Sequence, residues 1–326
     1  MKNKNYLSDQ IRNNIPKRNI EEGRESVRMF VEMLKKRKIN VIDEAILNRA
    51  YEEEDYVDEK MLGLVLKALK IDEPVQYIPR YIRNMNAFHA NGTKVVVVDE
   101  LLEYTLISFL FTMYSLENNR SEENVTRCMK NFYVLEDLQN GKREIGTHNE
   151  TQLYEMSLLP ENLMHTAMDN YWTIWTFLIG HELYHAIHPE DRNGKDTELR
   201  ADQYAYRLLI NLIMQQKKNE VPEELQVFWE DQYLSPIILF EMFRLFDVYS
   251  ELKGKKIVYQ DHPTPKERQD NIFSMFKDDI PEEMNTEQTM RRSDKILEAK
   301  SCFDTGFHRE IRQKRENGVN PKEGHP

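Results

Sequence analysis

The chain has 326 residues, 40% hydrophobic and 31% charged, with a formal net charge of -11 and a sequence pI near 5.5. The length allows about two domains, and the acidic balance without a dense basic patch argues against nucleic acid as a main partner. Two cysteines, Cys128 and Cys302, are too few for a disulfide framework, so a reduced, cytoplasmic compartment is expected.

Met1 to Asn19 is polar, with no apolar secretory segment. Ile20 to Lys38 carries Val27, Phe30, Val31 and Leu34 at i, i+3, i+4 and i+7, which predicts an amphipathic helix. Val41 to Ala50 and Asp58 to Lys70 read the same way. Pro74 and Pro79 break helicity. Tyr81 to Phe88 and Thr93 to Val98 flank Asn91-Gly92, which predicts a β-hairpin. Its second strand could be an edge that pairs with an extended peptide, or an ordinary internal strand. Asp99 is placed to cap a helix from Glu100 to about Leu116.

Glu117 to Gln152 is polar and reads as a surface excursion with one short helix, Val125 to Leu138. Pro160 opens a long helix to about His188, broken by Pro189, Asn193 and Gly194. Thr197 is expected to cap the next helix, through about Lys217, and Pro222 begins a third region to Leu252. Thr264-Pro265 starts a shorter helix through Phe276. The chain is polar from Asp278, with a weak helix expected at Glu287 to Ala299 and disorder at Asn317 to Pro326. Leu101 to Tyr114 and Tyr171 to Ile187 are apolar but short or interrupted by polar groups, so no membrane span is expected. The whole reads as mainly α with a small β-hairpin or sheet (α+β). Three parts are expected: a helical region 1–72, a main domain 73–277 and a polar tail 278–326.

His181-Glu182-Leu183-Tyr184-His185 is the most informative stretch. Residues i and i+4 of a helix share a face, so both imidazoles can reach one metal ion. Glu182 is offset by about 100° around the axis and stands beside the ion, where a general base belongs. A catalytic zinc, Zn2+, takes three protein ligands. Asp191, His188, Glu198 and His262 are the candidates for the third. Asp191 lacks the turn glycine that the longer H-E-x-x-H-x-x-G-x-x-H pattern requires, and His188 lies at the helix end. Glu198 opens the next helix, which a short loop can fold back antiparallel, and is preferred. Asp202 lies at i+4 from Glu198 and is placed to accept the second ring N–H of His181 or His185. Hydrolysis also needs a donor for the developing oxyanion, and His262 or Arg268 could provide it.

Three clusters, Gly-His-Glu-Leu-Tyr-His (180–185), Glu-Leu-Arg-Ala-Asp (198–202) and His-Pro-Thr-Pro-Lys-Glu-Arg (262–268), resemble in order the core of HtpX and prenyl-protein peptidases. Those gluzincins are membrane-embedded, and this chain lacks their spans. The clusters, with Asn91 to Tyr114 upstream, are more similar to the soluble Lit-type phage-exclusion peptidases, over about residues 80–277. The resemblance implies a zincin-like metallopeptidase domain with an active-site helix, His181 and His185 as ligands and Glu182 as base. It further implies a protein substrate, a host translation elongation factor, cut once a phage-derived activator is sensed. The rival expectations are a peptidase acting on a repressor or toxin partner, and a non-catalytic, metal-stapled helical binding module.

Overall fold

A computed structural model describes residues 62–142, 159–218 and 230–279, short gaps aside, and a few positions between 301 and 309. The helices expected at 20–38 and 41–50, most of the one at 58–70, the Asn91-Gly92 turn, the start of the third region at Pro222, the helix at 287–299 and the tail at 317–326 lie outside the described residues.

The described chain is mostly helical. Three strands form one sheet in the order β1-β3-β2: β1 is Gln76–Arg80, β2 is Ala87–His89 and β3 is Val95–Asp99. β2 runs antiparallel to β3 with Phe88 opposite Val97, as a hairpin requires. β1 was not foreseen. It lies parallel to β3 with Pro79 opposite Val98, and proline is tolerated because β1 is an edge strand. β3 is therefore the central strand, paired on both sides and buried along its whole length. This corrects the edge reading of Lys94 to Val98: its valines are sheet interior, and among the described residues the outer strands are β1 and β2.

Asp99 ends β3 and caps α1, Glu100–Asn118, accepting a hydrogen bond from the Leu101 amide at 3.0 Å. Ser121 caps α2, Glu122–Gln139, whose first turn carries Glu122 and Glu123 at the positive end of the helix dipole. α2 is not a surface excursion. Cys128, Met129, Phe132, Leu135 and Leu138 are buried, and Phe132 stacks on Phe246 at 4.6 Å. The tail also reaches this helix: Gly306 packs against Val125 and Met129, and Arg309 pairs with Glu122 at 2.8 Å. At the other end, Leu62, Val65 and Leu66 join the same core, so the boundary expected at 72 does not divide it.

α3, Glu161–Ile187, is the centre of the molecule. Ile174, Trp175, Phe177, Ile179 and Leu183 are buried on all its sides, because it touches α1, α4, α5, β2 and β3. It ends at His188, since the residue before a proline is kept out of the helical region. α4, Lys195–Lys217, returns alongside it. α4 starts two residues before the expected Thr197 cap: Gly194 is the N-cap, at φ 155 and ψ 171, a region essentially open only to glycine. A short 3-10 turn, Glu230–Leu234, leads into α5, Ser235–Leu252. Buried Asn170 ties three helices, donating to the Tyr114 hydroxyl at 2.9 Å and accepting from Ser235 at 2.6 Å. α6, Pro265–Asp279, begins with a capping box. The Glu267 amide donates to Thr264 Oγ1 at 3.2 Å, the Thr264 amide donates to Glu267 Oε2 at 2.6 Å, and Pro265 fills the first helical position. Among the described residues no helix is long and apolar enough to cross a membrane.

α3 and α4 approach closely at Gly180. A Cβ there would meet Ala205 Cα at 3.1 Å and its Cβ at 3.2 Å. Two backbones face each other, so neither can yield as a flexible side chain would. Gly180→Ala is expected to cost about 1–3 kcal/mol, the usual range for overpacking. Urea unfolding of the metal-free protein checks this; a variant as stable as its parent would show that the helices have slack at this point.

Candidate metal centre

The close approach at Gly180 brings the next residue, His181, onto the first two turns of α4. His181 Nε2 lies 3.3 Å from Glu198 Oε2, and its Nδ1 lies 2.9 Å from Asp202 Oδ1. One turn further along α3, His185 Nε2 is 3.3 Å from His181 Nε2 and 3.5 Å from Glu198 Oε1. His181, His185 and Glu198 thus converge and could hold a metal ion. The separations are a direct test of fit. A tetrahedral ion bound at 2.0–2.1 Å by nitrogen and oxygen spaces its ligands about 3.3–3.4 Å apart. The two imidazole nitrogens already have that spacing, and Glu198 turns one oxygen toward each of them, Oε2 to His181 and Oε1 to His185, so the donor set suits one ion. Glu198 is therefore the third member of the cluster, as preferred from its place in the sequence.

Asp202 sits behind His181, fully buried. His181 Nδ1–H donates to it, which leaves Nε2 facing the cluster. Asp202 in turn is held by Arg268 of α6. Arg268 Nε donates to Asp202 Oδ2 at 2.8 Å, and Nη2 donates to Oδ1. The guanidinium lies over the Phe240 ring at 4.4 Å. This gives Arg268 a job other than the oxyanion donor expected of it. These donors are spent on Asp202, on the far side of His181 from the cluster. Asn271 docks α6 on α4, donating to the Leu199 carbonyl at 3.0 Å and accepting from Gln203 at 2.9 Å.

His262 precedes α6, and its Nδ1 lies 3.5 Å from Glu198 Oε2. Its side chain is 70% exposed, so it stands at the rim of the cluster rather than within it. Pro263 and Pro265, both buried, fix the backbone on which it is carried. Glu182 is buried beside the first ligand, and its charge is felt by Arg268. Asp191 and His188 do not join the cluster. Asp191 accepts from Arg200 Nη2 at 3.1 Å, and His188 packs its ring on Tyr184 at 4.6 Å.

Sequence reasoning missed Phe240, Arg200 and the contacts of Tyr184. Phe240 carries no motif, and only the packing of α5 under α6 reveals it. Arg200 lies two residues from Glu198, and no spacing rule pairs it with the loop it binds. No protein-family profile, curated protein or solved structure matches the chain.

The electrostatics of the cluster follow from its burial. Burial opposes the charged form of His181, but hydrogen bonds to Asp202 and Glu198 outweigh it and lift the pKa from 6.5 to about 9. Burial likewise pushes the Glu198 carboxyl up, yet His181 and the neighbouring cations pull it from 4.5 down to about 2. In metal-free protein, the His181 contribution to stability is complete below about pH 6.5 and is lost as pH rises through about 9. The Glu198 contribution is present above about pH 4.5 and is lost as pH falls through about 2. Chelator-treated protein is therefore expected to melt at progressively lower temperature from pH 6.5 to 9. Glu198→Gln should flatten that slope. Thermal scans across the range decide it, and an unchanged slope in the variant would remove Glu198 as the cause.

Proposed function

We infer that the chain is a cytoplasmic zinc-dependent endopeptidase of zincin-like architecture, with Glu182 as its general base. The observation that carries this reading is the donor set and its spacing: two imidazoles and one carboxylate converging at 3.3–3.5 Å, with a second buried carboxylate on the residue after His181. Three protein ligands of this kind suit a catalytic zinc, whereas structural sites take four and usually include cysteine. Cys128 sits on α2 with its thiol toward the Thr112 carbonyl, and no described cysteine belongs to the cluster. That contrast favours an enzyme over a metal-stapled binding module, which has no need of Glu182.

His181, His185 and Glu198 would hold the zinc, which when bound would supply Lewis acidity toward a water and the scissile carbonyl. Glu182 accepts the proton of the attacking water and returns it to the leaving amine. Asp202, anchored by Arg268, keeps the proton of His181 on Nδ1 and so keeps Nε2 free as a ligand atom. His262 offers a ring N–H to the oxyanion from its proline-stiffened loop. The resemblance of the three motifs to Lit-type peptidases favours a host translation elongation factor as substrate and a phage-derived activator. A repressor or toxin partner is the alternative target.

Purified protein is expected to carry about one zinc per chain, lost in Glu198→Ala. Glu182→Gln should keep zinc and fold while losing cleavage by several orders of magnitude. Mass spectrometry of new protein N-termini in cells, wild type against Glu182→Gln, reads out both activity and target. A Gln variant that generates the same termini would end the assignment of Glu182 as base.

His262→Ala is expected to leave zinc content and melting temperature nearly intact and to lower kcat by about 10²–10³, with KM little changed. Steady-state kinetics with metal analysis distinguishes the outcomes. Unaltered kcat would reduce His262 to a loop residue. Loss of zinc would make it a ligand.

A further inference from the structure

Tyr184 lies inside the His-Glu-Leu-Tyr-His motif, yet its hydroxyl is bound outside the metal cluster. It donates to Asp191 Oδ2 in the loop between α3 and α4. The same Asp191 oxygen accepts from Arg200 Nε at 3.2 Å and Nη2 at 3.1 Å. Arg200 Nε also reaches the Tyr184 hydroxyl at 3.2 Å, and Nη2 reaches Thr197 Oγ1 at 3.2 Å. One network therefore joins the C-terminal turns of α3, the loop and the first two turns of α4. Both helices carry metal ligands within two residues of it: His185 follows Tyr184, and Glu198 precedes Arg200 by two positions.

The network bears on where the first turn of α4 stands. Its N-cap is Gly194, which has no side chain to cap with. Glu198 sits in that turn, so a shift of the turn would carry it away from the two histidines. The contact at Gly180 and Ala205 lies about two turns along α4 from Glu198. From the far side Asn271 holds the Leu199 carbonyl. The loop side is held by Asp191 and Arg200.

We propose that Tyr184, Asp191 and Arg200 form a positioning clamp that sets the metal affinity of the centre by fixing Glu198 against His181 and His185. The clamp rests on the metal-centre reading above and deepens it. Its ion pair is partly exposed, with the Arg200 side chain 48% accessible, so its worth to global stability is small. Its effect is on where Glu198 stands. That difference separates a positioning role from a merely structural one.

The test uses the full chain loaded with Co2+, whose visible d–d bands are intense in four-coordinate sites and weak when water raises the coordination number. Affinities for Co2+ and Zn2+ are measured beside the melting temperature of the metal-free protein. Asp191→Ala is expected to weaken metal binding by about 10–100-fold, the usual effect of losing an outer partner of a ligand. It should dim the cobalt bands while leaving the metal-free melting temperature nearly unchanged. Tyr184→Phe keeps the ring that packs on His188 and Tyr204, and should shift both metal readouts in the same direction by less. It carries the test if Asp191→Ala does not fold. Wild-type affinity and spectrum in the variants would overturn the clamp, as would a lowered metal-free melting temperature with an unaltered spectrum. Failure of the wild type to take up either metal would instead overturn the metal centre itself.

Discussion

Everything at the centre depends on how closely α3 can approach α4. Gly180 has no side chain, and Ala205 opposite it has the smallest one. Their backbones meet where larger residues would hold two helices apart by a further side-chain layer. The approach is local, and it falls one residue before His181. Helix periodicity then sets the rest: His185 lies one turn on, while Glu198 and Asp202 lie one turn apart on the partner helix. Four chemistry-bearing groups meet because two helices touch at one point with nothing between them.

The polar groups there are costly to bury, and the structure meets the cost by pairing. Asp202 would be prohibitively placed as an isolated carboxylate. It has a guanidinium and an imidazole on its two oxygens instead. Arg268 is in turn covered by the Phe240 face, which suits a weakly hydrated planar cation. The chain of contacts runs from an aromatic ring on α5, through α6 and α4, to the Nδ1 atom of His181 on α3. Each member fixes the next, so the orientation of His181 is decided by residues from three other helices. The capping box at Thr264 and Glu267 and the link from Asn271 to α4 keep α6 in register for this purpose.

Much of this was legible locally. The pair of histidines at i and i+4, the acid next to the first, and the carboxylates at i and i+4 of the following helix each follow from helical spacing alone. So did the Asp99 cap, the proline stop after His188 and the hairpin of β2 with β3. Other elements were misread for identifiable reasons. Glu117 to Gln152 looked like surface because its polar residues outnumber its apolar ones, yet α2 buries a stripe of Cys128, Phe132 and Leu135. Pro79 was read only as a breaker, although an edge strand accepts it. Arg268 was offered, with His262, as a donor to an oxyanion because both lie near the start of α6. A buried carboxylate claimed it first.

The sequence by itself determined which side chains share a helix face, because that depends only on 3.6 residues per turn. It therefore supplied the two histidines, the acid beside them and the carboxylate pair that follows. The sequence order also favoured Glu198 in front and Asp202 behind, but the angle and depth at which α4 crosses α3 decided that Asp202 stands behind His181 rather than His185. Tertiary structure also decided that His262, far along the chain, arrives at the rim, and that Arg268 stands behind the centre rather than over it. Those placements rest on packing between distant segments, and no local spacing rule encodes them.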